Sequence, residues 1–461
     1  MKFYLVSLII ILFNSSLSAQ FGPQQIVSTF GQGYPDIITA DLDGDNDMDI
    51  ISIGNLDLVW FENINGLGLF GNRQIIEESP LEYGAAVSSI DLDGDGDLDI
   101  LSSFDRQNTQ GISKVTWYEN LDGQGNFGSQ IIINTNVNTV YTVLGADIDN
   151  DSDIDVFTIE RNSGKISWYE NIDGSGNFGN QILISTTLEW PIHGFLADMD
   201  NDDDIDIVTH SYDNNKIVWF ENNDGQGNFS GVKVISTEVD RPIQVFCADI
   251  DGDNDLDVIS TSLSDNKIAW YENINGQGSF GPQNIISTQV ISPRNLYVKD
   301  LDNDGDQDII SSERDGSYSA ILWFENLDGN GNFSSQILIS DEIDYATTVY
   351  ASDLDQDQDF DILSASQFDG KIAWYENYTI LNRPDFNNVS EKIYPNPVKE
   401  TLYIKSDEII ESLKIFNQTG QLIKSIINET EINIENFKSG LYFVQIEFQS
   451  GVIEFQKILK E

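Results

Sequence analysis

Apolar positions in residues 20–377 come in short β-branched and aromatic runs divided by polar turns, and no helical period runs through them. Four kinds of run return in a fixed order. The first enters an acidic loop, as in "DIITA" (36–40) or "QVFCA" (244–248). The second leaves it, as in "DIISI" (49–53), "DIVTH" (206–210) or "DVIST" (257–261). The third carries a tryptophan, at Trp60, Trp117, Trp168, Trp219, Trp270, Trp323 and Trp374, inside "VWFEN", "TWYEN" and their relatives. The fourth is "FGSQIIIN" (127–134) or "FGNQILIS" (178–185), reached through "DGQG" (122–125) or "DGSG" (173–176), which are tight hairpin signals. Four antiparallel strands repeated seven times predict an all-β fold, a seven-bladed β-propeller. The seventh unit ends at "AWYEN" (373–377) without a fourth strand, whereas "FGPQQIVST" (21–29) is a fourth strand with no unit before it. The N-terminal strand is therefore expected to complete the last blade and close the ring.

The acidic loops set the period. They open at Asp41, Asp91, Asp147, Asp198, Asp249, Asp300 and Asp353, at intervals of 50, 56, 51, 51, 51 and 53 residues. Each carries aspartate at positions 1, 3, 5, 7 and 9. Alternating aspartates in a tight loop bring oxygens to one point, as a hard cation such as Ca²⁺ requires. Position 12 is Ser52, Ser102, Thr158, Thr209, Ser260, Ser311 and Ser364, never glutamate, so the closing carboxylate is assigned to position 9. The expected ligands are Asp41, Asp43, Asp45 and Asp49 in the first loop, Asp91, Asp93, Asp95 and Asp99 in the second, and Asp147, Asp149, Asp151 and Asp155 in the third. Asp198, Asp200, Asp202 and Asp206 follow, then Asp249, Asp251, Asp253 and Asp257, Asp300, Asp302, Asp304 and Asp308, and Asp353, Asp355, Asp357 and Asp361. Position 7 is expected to offer its backbone carbonyl and turn its side chain to water.

With this D-x-D-x-D-x-x-x-D loop followed by "DI" or "DV", the chain resembles the FG-GAP/VCBS repeat family, which includes the propeller of integrin α-subunits. The resemblance covers about 21–377. It implies a Ca²⁺ ion in each loop, between the first and second strands of a blade. The family prefers glycine at position 6, and only Gly96 and Gly305 comply. Asn46 and Asn254 tolerate a left-handed backbone, while Ser152, Asp203 and Gln358 suit it less.

Charge sharpens this picture. Residues 20–377 hold 65 acidic and 13 basic side chains, a net of −52, against 12 and 9, a net of −3, in 378–461. Such a body repels nucleic acid and anionic membranes and calls for bound cations. Up to seven structural Ca²⁺ ions are expected to stiffen it. The single cysteine, Cys247, allows no intramolecular disulfide. Residues 1–19, with Lys2, an apolar run and Ala19 at the expected cleavage site, have the layout of a signal peptide, and no transmembrane segment is expected.

Catalytic signals are sparse. His193 and His210 are the only histidines, without a partner legible in sequence; Cys247 reads as packing; no nucleophile elbow, phosphate loop or zinc spacing occurs. The tryptophans, fixed in one strand, are assigned to packing between blades. A variable set stands before each first strand: Tyr34, Tyr83, Tyr141, Trp190, Arg241, Arg294 and Tyr345. These connections share a face with the loops between strands two and three, which add Arg106, Lys114, Arg161 and Arg314. Aromatics and arginines together are what binding sites use. The face opposite the acidic loops is thus the expected ligand site, for a polysaccharide or a surface protein. A polysaccharide lyase is the alternative, and a display scaffold without a ligand a third reading.

Beyond a linker at 378–390, the segment 391–461 resembles the type A C-terminal sorting domain of the bacterial type IX secretion system. The motifs that carry it are "YPNP" (394–397), "IFNQTGQLI" (415–423), "SGLYFVQI" (439–446) and "KILK" (457–460). It implies a small β-sandwich-like fold, the type IX machinery as partner, and a secreted or surface location.

Overall fold

The structure is a computed structural model and describes residues 20–29, 36–54, 57–78, 83–105, 113–315, 318–379, 392–394, 398–405, 410–417, 422–427, 430–438, 440–448 and 453–460. The expected signal peptide, Tyr34, Arg106, most of the linker and "PNP" of the tail lie outside them. The chain divides into two compact units, Met1–Ile380 and Leu381–Glu461.

The first unit consists of four-stranded antiparallel sheets, seven in number among the described residues. In the first, Asp36–Ala40, Asp49–Ile53, Asp57–Phe61 and Gln74–Glu78 pair in sequence order, and the next five repeat this arrangement. The seventh joins Ala346–Ser352, Asp361–Ser366 and Ile372–Tyr375 to Gln25–Ser28 from the N-terminus, with Gln25 opposite Trp374. The second and third strands are buried on both faces, and the fourth alternates exposed and half-buried residues. That difference is why, after its opening Asp49, "DIISI" is apolar or small while "QIIEE" tolerates charge.

Between neighbouring sheets lie apolar cores, and the alternation of side chains along one strand feeds two of them. Trp60 enters the core shared by the first and second sheets, whereas Phe61 points the other way, into the core shared with the seventh. Since that last core joins Ile37 and Phe61 to Leu363 and Trp374, the first and seventh sheets are packed neighbours. Each tryptophan is also met by a glycine of the following sheet's hairpin. A Cβ on Gly125 would stand 2.4 Å from the Trp60 ring, and one on Gly68 would stand 2.2 Å from Trp374. The second glycine of "DGQG" is therefore required by packing as well as by its positive φ, 71° at Gly125. The seventh sheet has no such hairpin, and Phe21 meets Trp323 edge-on at 6.0 Å as Phe280 meets Trp219 at 6.3 Å.

The second unit contains a three-stranded sheet (Lys392–Tyr394, Thr401–Lys405, Glu431–Asn433) and a four-stranded one (Leu422–Ile427, Ile410–Asn417, Gly440–Phe448, Ile453–Lys460). Leu402 and Ile432 from one share a core with Leu413, Val444 and Ile446 from the other.

Candidate functional sites: acidic loops and the opposite face

Each acidic loop is wound around its own first aspartate. In the first loop Asp41 accepts the N–H groups of Gly44, Asp45 and Asn46 at 2.8–3.1 Å, and Asp45 accepts that of Asp47 at 2.9 Å. Position 6 is left-handed in all seven loops, with φ of 78° at Ser152, 69° at Asp203 and 74° at Gln358, so the less suited residues adopt the same turn as Gly96 and Gly305. A left-handed non-glycine residue costs about 1–2 kcal/mol, which these hydrogen bonds offset.

The position-9 aspartates do more than close the loop. Asp49 accepts the N–H of Leu42 at 3.1 Å on one oxygen and that of Asn63 at 2.8 Å on the other, tying the loop to the third strand. The same two bonds recur, for example, at Asp155 and at Asp361. Burial raises these carboxyls, to about 7 at Asp49, Asp99, Asp155, Asp206 and Asp257, about 8 at Asp308 and about 9 at Asp361. At position 3, burial and then neighbouring carboxylates raise Asp43, Asp200 and Asp302 to about 6 and Asp355 to about 7.

These loops can hold a metal ion. One carboxylate oxygen each from Asp91, Asp93 and Asp99 lies within 4.8 Å of the others, as in Asp147–Asp149–Asp155, Asp198–Asp200–Asp206 and Asp249–Asp251–Asp257, and in Asp41–Asp43–Asp45. At position 3, one oxygen of Asp43, Asp149, Asp200, Asp251 and Asp355 is buried with no hydrogen-bond partner. A desolvated anionic oxygen of that kind is stable beside a cation and costly without one. Positions 1, 3 and 9 thus come together in four of these loops and 1, 3 and 5 in the first. Position 7 differs from the expectation that it faces water in two loops, where Asp47 and Asp359 are buried. Asp204 and Asp255 receive the amides of Asn150 and Asn201 from the preceding loop at 2.7 and 3.0 Å, and Gln356 reaches Asp47 from the seventh loop to the first.

A further set of residues completes this end and was missed in sequence, although its signal was present as the closing letter of every "FEN" or "YEN". The Nδ2 of Asn120 donates to the carbonyl of Leu42 in the preceding sheet's loop at 2.8 Å. Asn171, Asn222, Asn273, Asn326 and Asn377 repeat the bond, and Asn63 makes it to Leu354 at 2.9 Å, from the first sheet to the seventh.

At the other end the connections differ from sheet to sheet. Trp190, Arg241 and Tyr345 occupy one equivalent position, eight residues before the acidic loop, with left-handed φ of 52°, 55° and 67°. Thr139 and Ser292 hold that position in the third and sixth sheets, so Tyr141 and Arg294 sit two residues further inward than their sequence grouping suggested. Tyr83 opens its strand at the same position in the second sheet. Tyr141 and Arg294 from this inner position, and Tyr345 from the outer one, line a central cavity of about 500 Å³ walled by residues from the first-strand region of every sheet.

Aromatic rings hold the arginines here. The Arg161 guanidinium lies 5.0 Å from the Tyr141 ring and 4.4 Å from Trp190, while Arg241 lies 5.7 Å from Tyr212. Across the cavity, Arg294 and Arg314 flank buried Tyr345 at 4.8 and 4.0 Å, with Arg314 5.6 Å from exposed Phe368. Tyr345 is therefore a platform beneath the arginines. Sequence reasoning missed Tyr212 and Phe368, which belong to second-to-third-strand hairpins and meet the set only through folding. Three hairpin lysines are spent locally: Lys165 pairs with Glu160 at 3.5 Å, Lys267 with Asp265 at 3.0 Å and Lys371 with Asp369 at 3.0 Å.

His193 lines the same cavity, and its backbone N–H donates to Nε2 of His210 at 3.2 Å. Burial lowers His193 to about 4 and His210 to about 3, so both imidazoles are neutral near pH 7. Cys247 is buried in the core between the fourth and fifth sheets, where burial raises its thiol well above the ordinary value.

Comparison with known proteins places both units. The FG-GAP-like repeat matches 41–102, 91–158, 147–209, 198–260, 249–311 and 300–364, and the secretion system C-terminal sorting domain matches 392–461. No curated protein matches the sequence. Among solved structures, a polysaccharide lyase, an ulvan lyase with bound saccharide, is 11% identical with a TM-score of 0.50, covering 78% of this chain and 95% of that one. An extracellular domain assigned to a hybrid two-component system of B. thetaiotaomicron is 10% identical with a TM-score of 0.48, covering 96% and 59%. A rhamnogalacturonan lyase of Bacillus licheniformis is 11% identical with a TM-score of 0.41, covering 78% and 75%. These likenesses concern the fold. No helix among the described residues is long and apolar enough to cross a membrane, and the sorting domain sends the chain out of the cell or to its outer surface. The chain belongs to the FG-GAP-like repeat family and carries a type IX secretion sorting domain at its C-terminus.

Proposed function

We propose that this protein is an exported, calcium-stabilised recognition module that binds a polysaccharide or a surface protein on the face opposite its acidic loops, without catalysing a reaction. The observation that carries the reading is the set of arginines stacked on aromatic rings around the mouth of the central cavity. Trp190 remains 42% exposed there despite its contacts with Arg161 and Tyr212, although a large indole is ordinarily more deeply buried. Burial lowers His193 to about 4, which makes it a weak proton acceptor, and no carboxylate among the described residues hydrogen-bonds to it, which supports binding over catalysis. Ca²⁺ fits the loops through hard oxygens, and extracellular calcium modules bind with Kd roughly 10⁻⁴–10⁻³ M.

The test is to incubate the mature protein, in calcium, with a panel of immobilised polysaccharides and to measure both retention and new chain ends. Retention without new ends, lost in Trp190→Ala, is the expected result. New chain ends would make the protein a lyase or hydrolase and return attention to His193, Tyr141 and Arg294. Deletion of 391–461 is expected to hold the protein in the periplasm, and normal export of the truncated chain would count against type IX sorting.

A further inference from the structure

Arg161, Arg241, Arg294 and Arg314 stand out by what they lack. The chain carries 77 acidic and 23 basic side chains, so carboxylates are plentiful. Even so, none of the four is among the ion pairs found in the described residues, while Arg73, Lys165, Lys233, Lys267 and Lys371 are. The acidic residues of the same connections, Glu189, Asp240 and Asp344, make no such pair with them either. In addition, Nε of Arg161 and of Arg294 is buried with no hydrogen-bond partner. A desolvated guanidinium donor without an acceptor is unfavourable, and it persists where a ligand supplies the acceptor.

The ring contacts restrain each guanidinium, a planar group whose nitrogens can donate in pairs, the geometry that suits a carboxylate or a sulfate. Trp190 and Phe368 stand beside these arginines, 42% and 58% exposed, and offer apolar surface to the C–H groups of a sugar ring. The sites are spread over the third to the seventh sheets, with Arg294 lining the cavity, Arg161 and Arg314 on its lining rings Tyr141 and Tyr345, and Arg241 beside Tyr212 away from it, which suits an extended chain with charges at intervals rather than a compact ion. Nucleic acid carries a phosphate about every 1.7 Å of duplex, and its dense charge would meet the full repulsion of this acidic body.

We infer that the ligand is an acidic polysaccharide, held through its carboxylate or sulfate groups by Arg161, Arg241, Arg294 and Arg314 against Trp190 and Phe368. This inference rests on the recognition reading above and narrows it to one chemical class.

The experiment measures binding of the calcium-loaded mature protein to four surfaces: a polyuronate, the same polymer with its carboxyls reduced, a sulfated galactan, and its desulfated form. Binding to one or both charged polymers, at least about tenfold weaker on the neutral counterpart, is expected, and which charged polymer binds names the group. Arg241→Gln and Arg161→Gln should each weaken it by about tenfold or more, the order of one charge-assisted contact, with a melting temperature near that of the parent. Lys233→Gln removes a charge already paired with Glu221 and should leave binding unchanged. Should Arg161→Gln fold poorly, Arg161→Lys keeps the charge without the fork and should still weaken binding. Equal binding to charged and neutral polymers would overturn the inference while leaving polysaccharide recognition intact. Charged polymers bound equally by folded arginine variants would overturn it in favour of bridging through loop-bound calcium. Binding to none of the four would overturn it together with the polysaccharide arm of the proposed function.

Discussion

At the acidic end of the propeller the same bonds recur sheet after sheet, whereas at the opposite end neighbouring connections carry different side chains. The left-handed position before the first strand is Thr139, Trp190, Arg241, Ser292 and Tyr345 in successive sheets, while position 9 of the acidic loop is aspartate throughout. The repeated end joins sheet to sheet through Asn120 and its counterparts and offers seven loops of nearly one design. The varied end repeats only its backbone. A structural element must meet the same neighbour seven times, so its residues recur. A binding surface meets one ligand once, so each connection is free to differ. Repetition inside a single chain therefore separates what holds this propeller together from the face on which we propose that it binds a ligand.

Removing calcium should break the comparison most severely. At a free concentration ten times Kd each site contributes about 1.4 kcal/mol, so seven filled loops contribute roughly 10 kcal/mol. Thermal melting of the mature protein is expected to fall by tens of degrees in excess chelator, and an unchanged melt would refute structural calcium. The chelated protein should also respond to pH in an unusual direction. Its position-9 carboxyls have folded values of about 7 to 9, above the ordinary value of 3.8, so the folded state holds more protons than the unfolded one between these limits. Their contribution is fully present below pH 4 and is lost as pH rises through 7 to 9. Melting temperatures in chelator should therefore drop from pH 5 to pH 9, and with calcium bound the trend should reverse, because protons compete with the ion.

Single substitutions sharpen the contrast on a smaller scale. Gly125→Ala places a methyl 2.4 Å from the Trp60 ring at a positive φ and should destabilise the protein by about 2–4 kcal/mol in denaturant titration. A neutral outcome would show that the sheets can spread apart. The smallest effect is expected at position 6 of the third loop. Ser152→Gly relieves a φ of 78° and should raise stability by about 0.5–1 kcal/mol in calcium, while a loss would mean that the serine side chain supports the loop. None of these changes should alter ligand retention in folded protein, because all lie at the repeated end.

By itself the sequence determined the strands, their fourfold grouping, the period, the acidic loops and the source of the missing strand. These are local or periodic properties: alternation of side chains along a strand, glycines at a hairpin, and aspartates two residues apart in one loop. The candidate ligands at positions 1, 3 and 9 were legible for the same reason, since a nine-residue loop carries its own geometry. Tertiary structure alone decided what lies between sheets. That Asn63 reaches Leu354, that Gln356 reaches Asp47, and that Arg314 covers Tyr345 beside Phe368 depends on how neighbouring sheets are turned and spaced. The same holds for Tyr141 and Arg294, which look equivalent to Trp190 and Arg241 along the chain. They stand two positions nearer the first strand than Trp190 and Arg241, and only the folded sheets show that this nearer position lines the central cavity.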